Sequence, residues 1–173
     1  MSFVRSIAAV FAACAIAACS TTPAPTAPAS LATASPAAMV AAIRATAAHD
    51  DTELAVQPLR DPMVEDLRQQ AQRLETQQRY QDEAAALDKA LAIVPEDPAL
   101  LQERAEAALL LRDAATAERL ARHAYAIGAK VGPLCRRHWA TIEQARLLEG
   151  DAAGAATAKA QVEQCTVAGV NRF

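Results

Sequence analysis

Between residues 61 and 166 the apolar positions return every three or four residues, the period of a helix face rather than of a strand. The first stretch aligns Leu67, Ala71 and Leu74, and the second Ala84, Leu87, Leu91 and Val94. Leu101, Ala105 and Ala108 follow, then Ala117, Leu120, Ala121 and Ala124. The last two stretches carry Trp139, Ile142, Ala145 and Arg146, then Ala155, Ala158 and Val162. This spacing predicts three pairs of helices. Large side chains alternate with alanines, so the helices can approach closely. Upstream, MVAAIRATAAH at 39–49 predicts a short helix with Met39, Ile43 and alanines on one side. Its expected role is a frayed cap on the core.

The breaks are as regular as the faces. Pro62 in RDPMVEDL, Pro98 in EDPALLQE and Pro133 in VGPLCRRH are separated by 36 and 35 residues. Asp61 and Asp97 suit helix N-caps, and Pro62 and Pro98 suit the first helical position, where a missing N–H costs nothing. A second break falls inside each unit: QQRYQDE at 77–83, LRDAATA at 111–117 and LEGDAAGA at 148–155. Each unit therefore reads as helix, tight turn, helix. The third begins after extra residues, AIGAKVG.

Composition strengthens the helical reading and removes one class of partner. Alanine dominates, glycine is rare, and β-branched residues are sparse after Pro58. Aromatic residues make up 3% and the formal charge is −3. Nucleic acid is excluded, because it needs a basic footprint and gains from stacking platforms.

The first residues read as an address. Arg5 precedes a short apolar run, 6–18, too short to span a bilayer but suited to a secretory signal. The run ends in Ile16-Ala17-Ala18-Cys19. This resembles the lipobox of bacterial lipoproteins, with an aliphatic residue, two small residues and then cysteine. The resemblance implies a signal peptide over 1–18 and lipidation at Cys19, whose thiolate is a strong nucleophile for lipid transfer. An ordinary cleaved signal and an uncleaved anchor are the competing readings. Ser20 stands where an aspartate would imply inner-membrane retention, so the outer membrane is expected. Residues 19–38, rich in proline, alanine and threonine, read as a semi-extended spacer. Residues 39–60 read as the short helix and a connector, 61–166 as the folded domain and 167–173 as a tail.

The stretch RYQDEAAALDKALAIVPEDP at 79–98 sets a tyrosine before a helix, then a lysine-alanine-leucine run and a closing proline. A second set is Trp139 with the aliphatic Ile142, the EGD turn and Ala155 in the third unit, with Ala117 and Ala124 in the middle one. These residues resemble the tetratricopeptide repeat (TPR), whose unit is about 34 residues. No glycine stands at the family's early small position. The resemblance covers roughly 61–165 and implies an all-α fold, a right-handed superhelical stack of about three helix-turn-helix repeats. It also implies a concave face, lined by first helices, that binds peptides or extended protein segments. By phase that face holds Glu65, Arg68, Gln72, Gln102, Glu106, Arg137 and Gln144. It lacks the paired lysines and asparagines with which some family members clamp a C-terminal carboxylate.

Two late cysteines bear on stability. Cys135 opens the first helix of the third unit and Cys165 closes the second. Antiparallel helices bring these ends together, and an exported protein meets an oxidising compartment, so a disulfide is expected. A zinc site using both thiols, His138 and His123 is the sharper alternative, but the usual paired-cysteine knuckles are missing.

No catalytic constellation stands out, and every serine lies at or before position 35. No cofactor and no metal are expected. The functional expectation is a non-enzymatic, lipid-anchored periplasmic adaptor or scaffold that recruits an envelope protein or peptide segment. The alternative is a self-associating structural subunit of an envelope complex.

Overall fold

The structure, a computed structural model, describes residues 34–47 and 61–166. The signal peptide, Cys19, the start of the spacer, the connector at 48–60 and the tail at 167–173 lie outside the described residues. All regular structure among those described is α-helical: α1 (Pro36–Ala45), α2 (Pro62–Thr76), α3 (Tyr80–Ile93), α4 (Pro98–Leu110), α5 (Ala114–Ile127), α6 (Pro133–Glu149) and α7 (Ala152–Gln164). None is long and apolar enough to cross a membrane.

The predicted starts are where the residues placed them. The Asp61 side chain accepts from Met63 N–H at 2.8 Å, and Asp97 accepts from Ala99 at 2.8 Å and Leu100 at 3.1 Å. Proline follows in both cases, so α2 and α4 start on a capped, pre-set first turn. Asp113 and Asp151 cap α5 and α7 by accepting from Thr116 and Gly154.

The three hairpin turns share one backbone solution. Gln78, Arg112 and Gly150 sit in the left-handed region, at φ of 58°, 60° and 79°. The residue after each donates to a carbonyl five back: Arg79 to Leu74, Asp113 to Ala108 and Asp151 to Arg146, each at 2.9 Å. This closure satisfies the last carbonyls of the first helix and reverses the chain. Two of the three turns use a residue other than glycine, at some cost in backbone strain.

The hairpins α2–α3, α4–α5 and α6–α7 stack in chain order through α3 on α4 and α5 on α6, and α4 also packs on α6. Alanines make this closeness workable. Ala105, Ala108, Ala117, Ala121, Ala124, Ala145 and Ala158 are all fully buried. Leu87, Leu100, Leu109 and Ile142 fill the space between them. Val64, outside the predicted apolar set, is also buried on α2.

α1 departs from the sequence expectation. It begins at Pro36, inside the predicted spacer, with Ser35 as N-cap accepting from Ala38 N–H at 3.2 Å. It packs on the core as a buried element rather than as a frayed cap. It lies across α4 and α6, and Met39, Val40 and Ile43 are buried there against Leu109, Leu110 and Ala140. The tertiary face supplies burial that ten residues of isolated helix lack.

Cys135 and Cys165 form a disulfide, with Cα atoms 5.7 Å apart and a sequence separation of 30. Beside it, Gly132 N–H donates to Cys165 O at 2.7 Å, closing the base of the last hairpin. Lys130 lies 4.3 Å from the Tyr125 ring centroid and donates to Ala126 O, and Tyr125 meets Trp139 edge-on at 5.0 Å. These contacts anchor the extra residues between α5 and α6.

Replacing both cysteines with alanine is expected to lower unfolding free energy by about 3–4 kcal/mol, the entropy of a loop of this length. Urea denaturation of the oxidised wild type beside the double variant measures it. An unchanged midpoint would show that the last hairpin does not depend on the crosslink.

Candidate functional site

The first helices of the hairpins, with α1 across two of them, carry a concentration of paired charge. Its centre is Glu106 on α4, fully buried. One carboxylate oxygen accepts from Gln102 at 2.8 Å and from the Arg137 guanidinium at 2.5 and 3.0 Å. The other accepts from Arg44 Nε of α1 at 2.8 Å. Arg44 then grips Glu75 of α2 with both terminal nitrogens, at 2.8 and 3.0 Å. Burial would depress the Arg44 pKa, but the Glu75 hydrogen bond and the Glu106 charge outweigh it and push it upward. One guanidinium thus joins α1, α2 and α4.

Beneath α1 the polar network continues inward. Gln102 also donates to Thr141 Oγ1 at 2.7 Å, and its carbonyl faces His138 Nδ1 at 2.7 Å. The Gln102 amide is oriented by its two acceptors, so the proton on the imidazole belongs on Nδ1. His138 is fully buried, and burial together with Arg137 and Lys130 lowers its pKa to about 3. It is a neutral structural histidine. Arg136 donates to Thr46 O at 2.8 Å, holding the end of α1 on α6.

α2 stands apart from α4, and side chains bridge the gap. Arg68 pairs with Glu103 of α4 and, at 2.8 Å, with Glu65 of its own helix. The Glu103 hydrogen bond, working against burial, raises the Arg68 pKa. The gap is a cleft of about 590 Å³, open to solvent beside the C-terminal end of α1. Arg44, Arg68, Gln72, Glu75 and Arg137 line it, with Glu83 and Leu87 of α3 as its floor. Glu83 is buried, and its Oε2 has no hydrogen-bond partner. Burial first, and then the neighbouring Glu75 charge, raises its pKa to about 8. Its carboxyl therefore keeps its proton at neutral pH, with one oxygen buried and unpartnered.

The expected face residues divide into three groups. Arg68, Gln72 and Arg137 line the cleft, with Glu65 attached through Arg68. Gln102 and Glu106 were expected on an open surface but are fully buried, Gln102 against Thr141 and His138 of α6 and Glu106 between Arg137 of α6 and Arg44 of α1. Gln144 sits half-buried on α6, away from the cleft. The thiols considered for zinc are joined to each other, His138 is committed to Gln102, and His123 is exposed. Among the described residues no three His, Cys, Asp or Glu side chains converge as a metal site. Sequence reasoning passed over Arg44, Glu75 and Glu83. Arg44 meets partners 31 and 62 positions away, a separation with no local signature. Arg68 and Glu103 are 35 apart, the repeat spacing, and phase could have paired them.

Stacked helical hairpins with a charged face on their first helices are the class of architecture that the described residues define. No family model and no curated protein matches the chain. Among solved structures it is similar to the globular C-terminal domain of P. aeruginosa LpoP, at 32% identity and a TM-score of 0.58. The match covers 61% of this chain and 99% of that domain. The helical domain belongs to the same family as that LpoP domain.

Glu83 makes stability depend on pH. The folded carboxyl holds its proton to about pH 8, whereas the unfolded one releases it near 4.5. The native state therefore binds more protons between these values. The stabilisation is complete below pH 4.5 and is lost as pH rises through 8. From pH 5.5 to 8 the wild type should lose about 3 kcal/mol more than a Glu83→Gln variant. Parallel pH profiles of the urea midpoints would refute a protonated Glu83.

Proposed function

We propose that this chain is a lipid-anchored lipoprotein of the cell envelope that acts as a non-catalytic adaptor, its folded domain facing the periplasm. The observation that carries the reading is the likeness to the LpoP domain, at 32% identity across 99% of it. The three hairpins serve as degenerate TPR-like repeats in a right-handed stack, a reading supported by their shared turn geometry and stacking order. Cys19 carries the lipid, and Ser20 after it favours the outer membrane. The spacer holds the domain away from the bilayer so that it reaches a protein partner.

Among envelope machineries, the likeness to LpoP favours peptidoglycan synthesis. The proposed partner is a peptidoglycan synthase, and the adaptor regulates it by binding rather than by chemistry. The charged cleft and first-helix face are the proposed contact surface. Arg68, Gln72 and Arg137 are accessible there, whereas Gln102 and Glu106 support the face from below.

Crosslinking and affinity purification of the full-length protein from its own cells, with partners identified by mass spectrometry, tests this reading. A synthase should be enriched, and a Cys19→Ala variant should leave the membrane fraction and lose most of that partner. Recovery of the protein alone would refute the adaptor and favour a self-associating structural subunit.

A further inference from the structure

We infer that the face of α4 and α6 is a receptor for an amphipathic helix of a partner protein, and that α1 is a resident occupant which such a helix replaces. The inference rests on the adaptor reading only in taking the partner to be a protein.

α1 is attached in the manner of a bound ligand. Its backbone packs on α4 and α6, with Arg44 reaching Glu75 of α2 and Tyr80 of α3 beside its apolar stripe. It buries one narrow stripe, Met39, Val40 and Ile43, and leaves Ala37, Ala41, Ala42 and Ala45 exposed. Helix-in-groove recognition is read through such anchors, one turn apart on one face. The next residue, Arg44, adds charge recognition by reaching Glu106 and Glu75. The receptor's chemistry follows: apolar side chains at i, i+1 and i+4, then an arginine at i+5.

The floor tolerates an exchange of occupants. When Arg44 leaves, Glu106 keeps Arg137 and Gln102, so no buried charge is stranded. The apolar surface at Leu109, Leu110 and Ala140 would face water, however, so the vacant state is costly and replacement is favoured over simple opening. A resident helix on the same chain competes at high effective concentration, so an incoming helix needs contacts that α1 lacks. The cleft offers them. It begins at Arg44 and Ala47, where α1 ends, and Arg68, Gln72 and Arg137 line it. A helix longer than α1 by a turn or two extends into that space.

Hydrogen exchange on the wild-type mature protein tests whether α1 opens on its own. Its amides should exchange about 100-fold faster than those of α4, as expected for sub-global opening. Equal protection would overturn the inference, because α1 would then leave only on global unfolding. A labelled peptide of residues 34–47 is the second probe. Full-length protein carrying Ile43→Asp and Arg44→Glu should bind it at least about tenfold tighter than wild type, and a peptide with Arg44→Glu should bind about tenfold more weakly than the native peptide. Loss of the helical circular dichroism of the bundle in that protein variant would make α1 a core element and refute displacement. Concentration-dependent dimers that exchange α1 between copies would refute a foreign helix as the occupant. The outcomes separate from those of partner capture: a synthase captured by a protein with fully protected α1 leaves the adaptor standing and removes this inference.

Discussion

A carboxylate excluded from water must be paired, and Glu106 imposes that requirement on three helices at once. Its two oxygens are shared among Arg44 of α1, Arg137 of α6 and Gln102 of its own helix. The spacing of α4 and α6 must suit Arg137, and the placement of α1 must suit Arg44. Gln102, fixed by Glu106, in turn orients Thr141 and His138. A hydrophobic interface of alanines and leucines alone would tolerate sliding of one helix along another. The charge network around Glu106 selects one register, the kind of specificity that paired buried polar groups provide, although the Nε2 of His138 at its inner end has no partner.

Around this centre the hairpins repeat a local solution. Each turn has a left-handed residue followed by a long-range closing bond, although the residues differ: Gln78, Arg112 and Gly150. The first two are 34 positions apart and the last two 38 (78 to 112, 112 to 150). The longer interval absorbs the residues between α5 and α6, where Lys130 and Gly132 provide new anchors. The backbone thus keeps its repeat through an insertion and through loss of the usual glycine.

Helix positions were legible because their determinants are local. Asp61-Pro62 and Asp97-Pro98 mark their own helix starts, and the alanine-leucine period marks the buried faces. Of the residues that repeat phase put on one face, Arg68 and Gln72 of α2 and Arg137 of α6 line the cleft. What stayed hidden depends on distance along the chain. Nothing near Met39 reveals that it packs on Leu109, and nothing near Glu106 reveals that α1 covers it. Phase alone treats Gln102 and Glu106 as solvent-facing, because polar residues on a helix are read outward until something covers them. Glu83 is similar: its burial comes from α2 and α4 together, not from its own turn.

The position of the disulfide matters for a linear array. An interior hairpin is braced on both sides, whereas α6–α7 has a neighbour on one side only within the described stack. The Cys135–Cys165 bond, with Gly132 and Cys165 joined beside it, supplies covalently what a further hairpin would supply by packing. Completion of the fold is thereby coupled to the redox state of its surroundings. Where thiols are kept reduced the α6–α7 hairpin is without that covalent brace. Oxidation then works as a latch that closes the last hairpin upon itself.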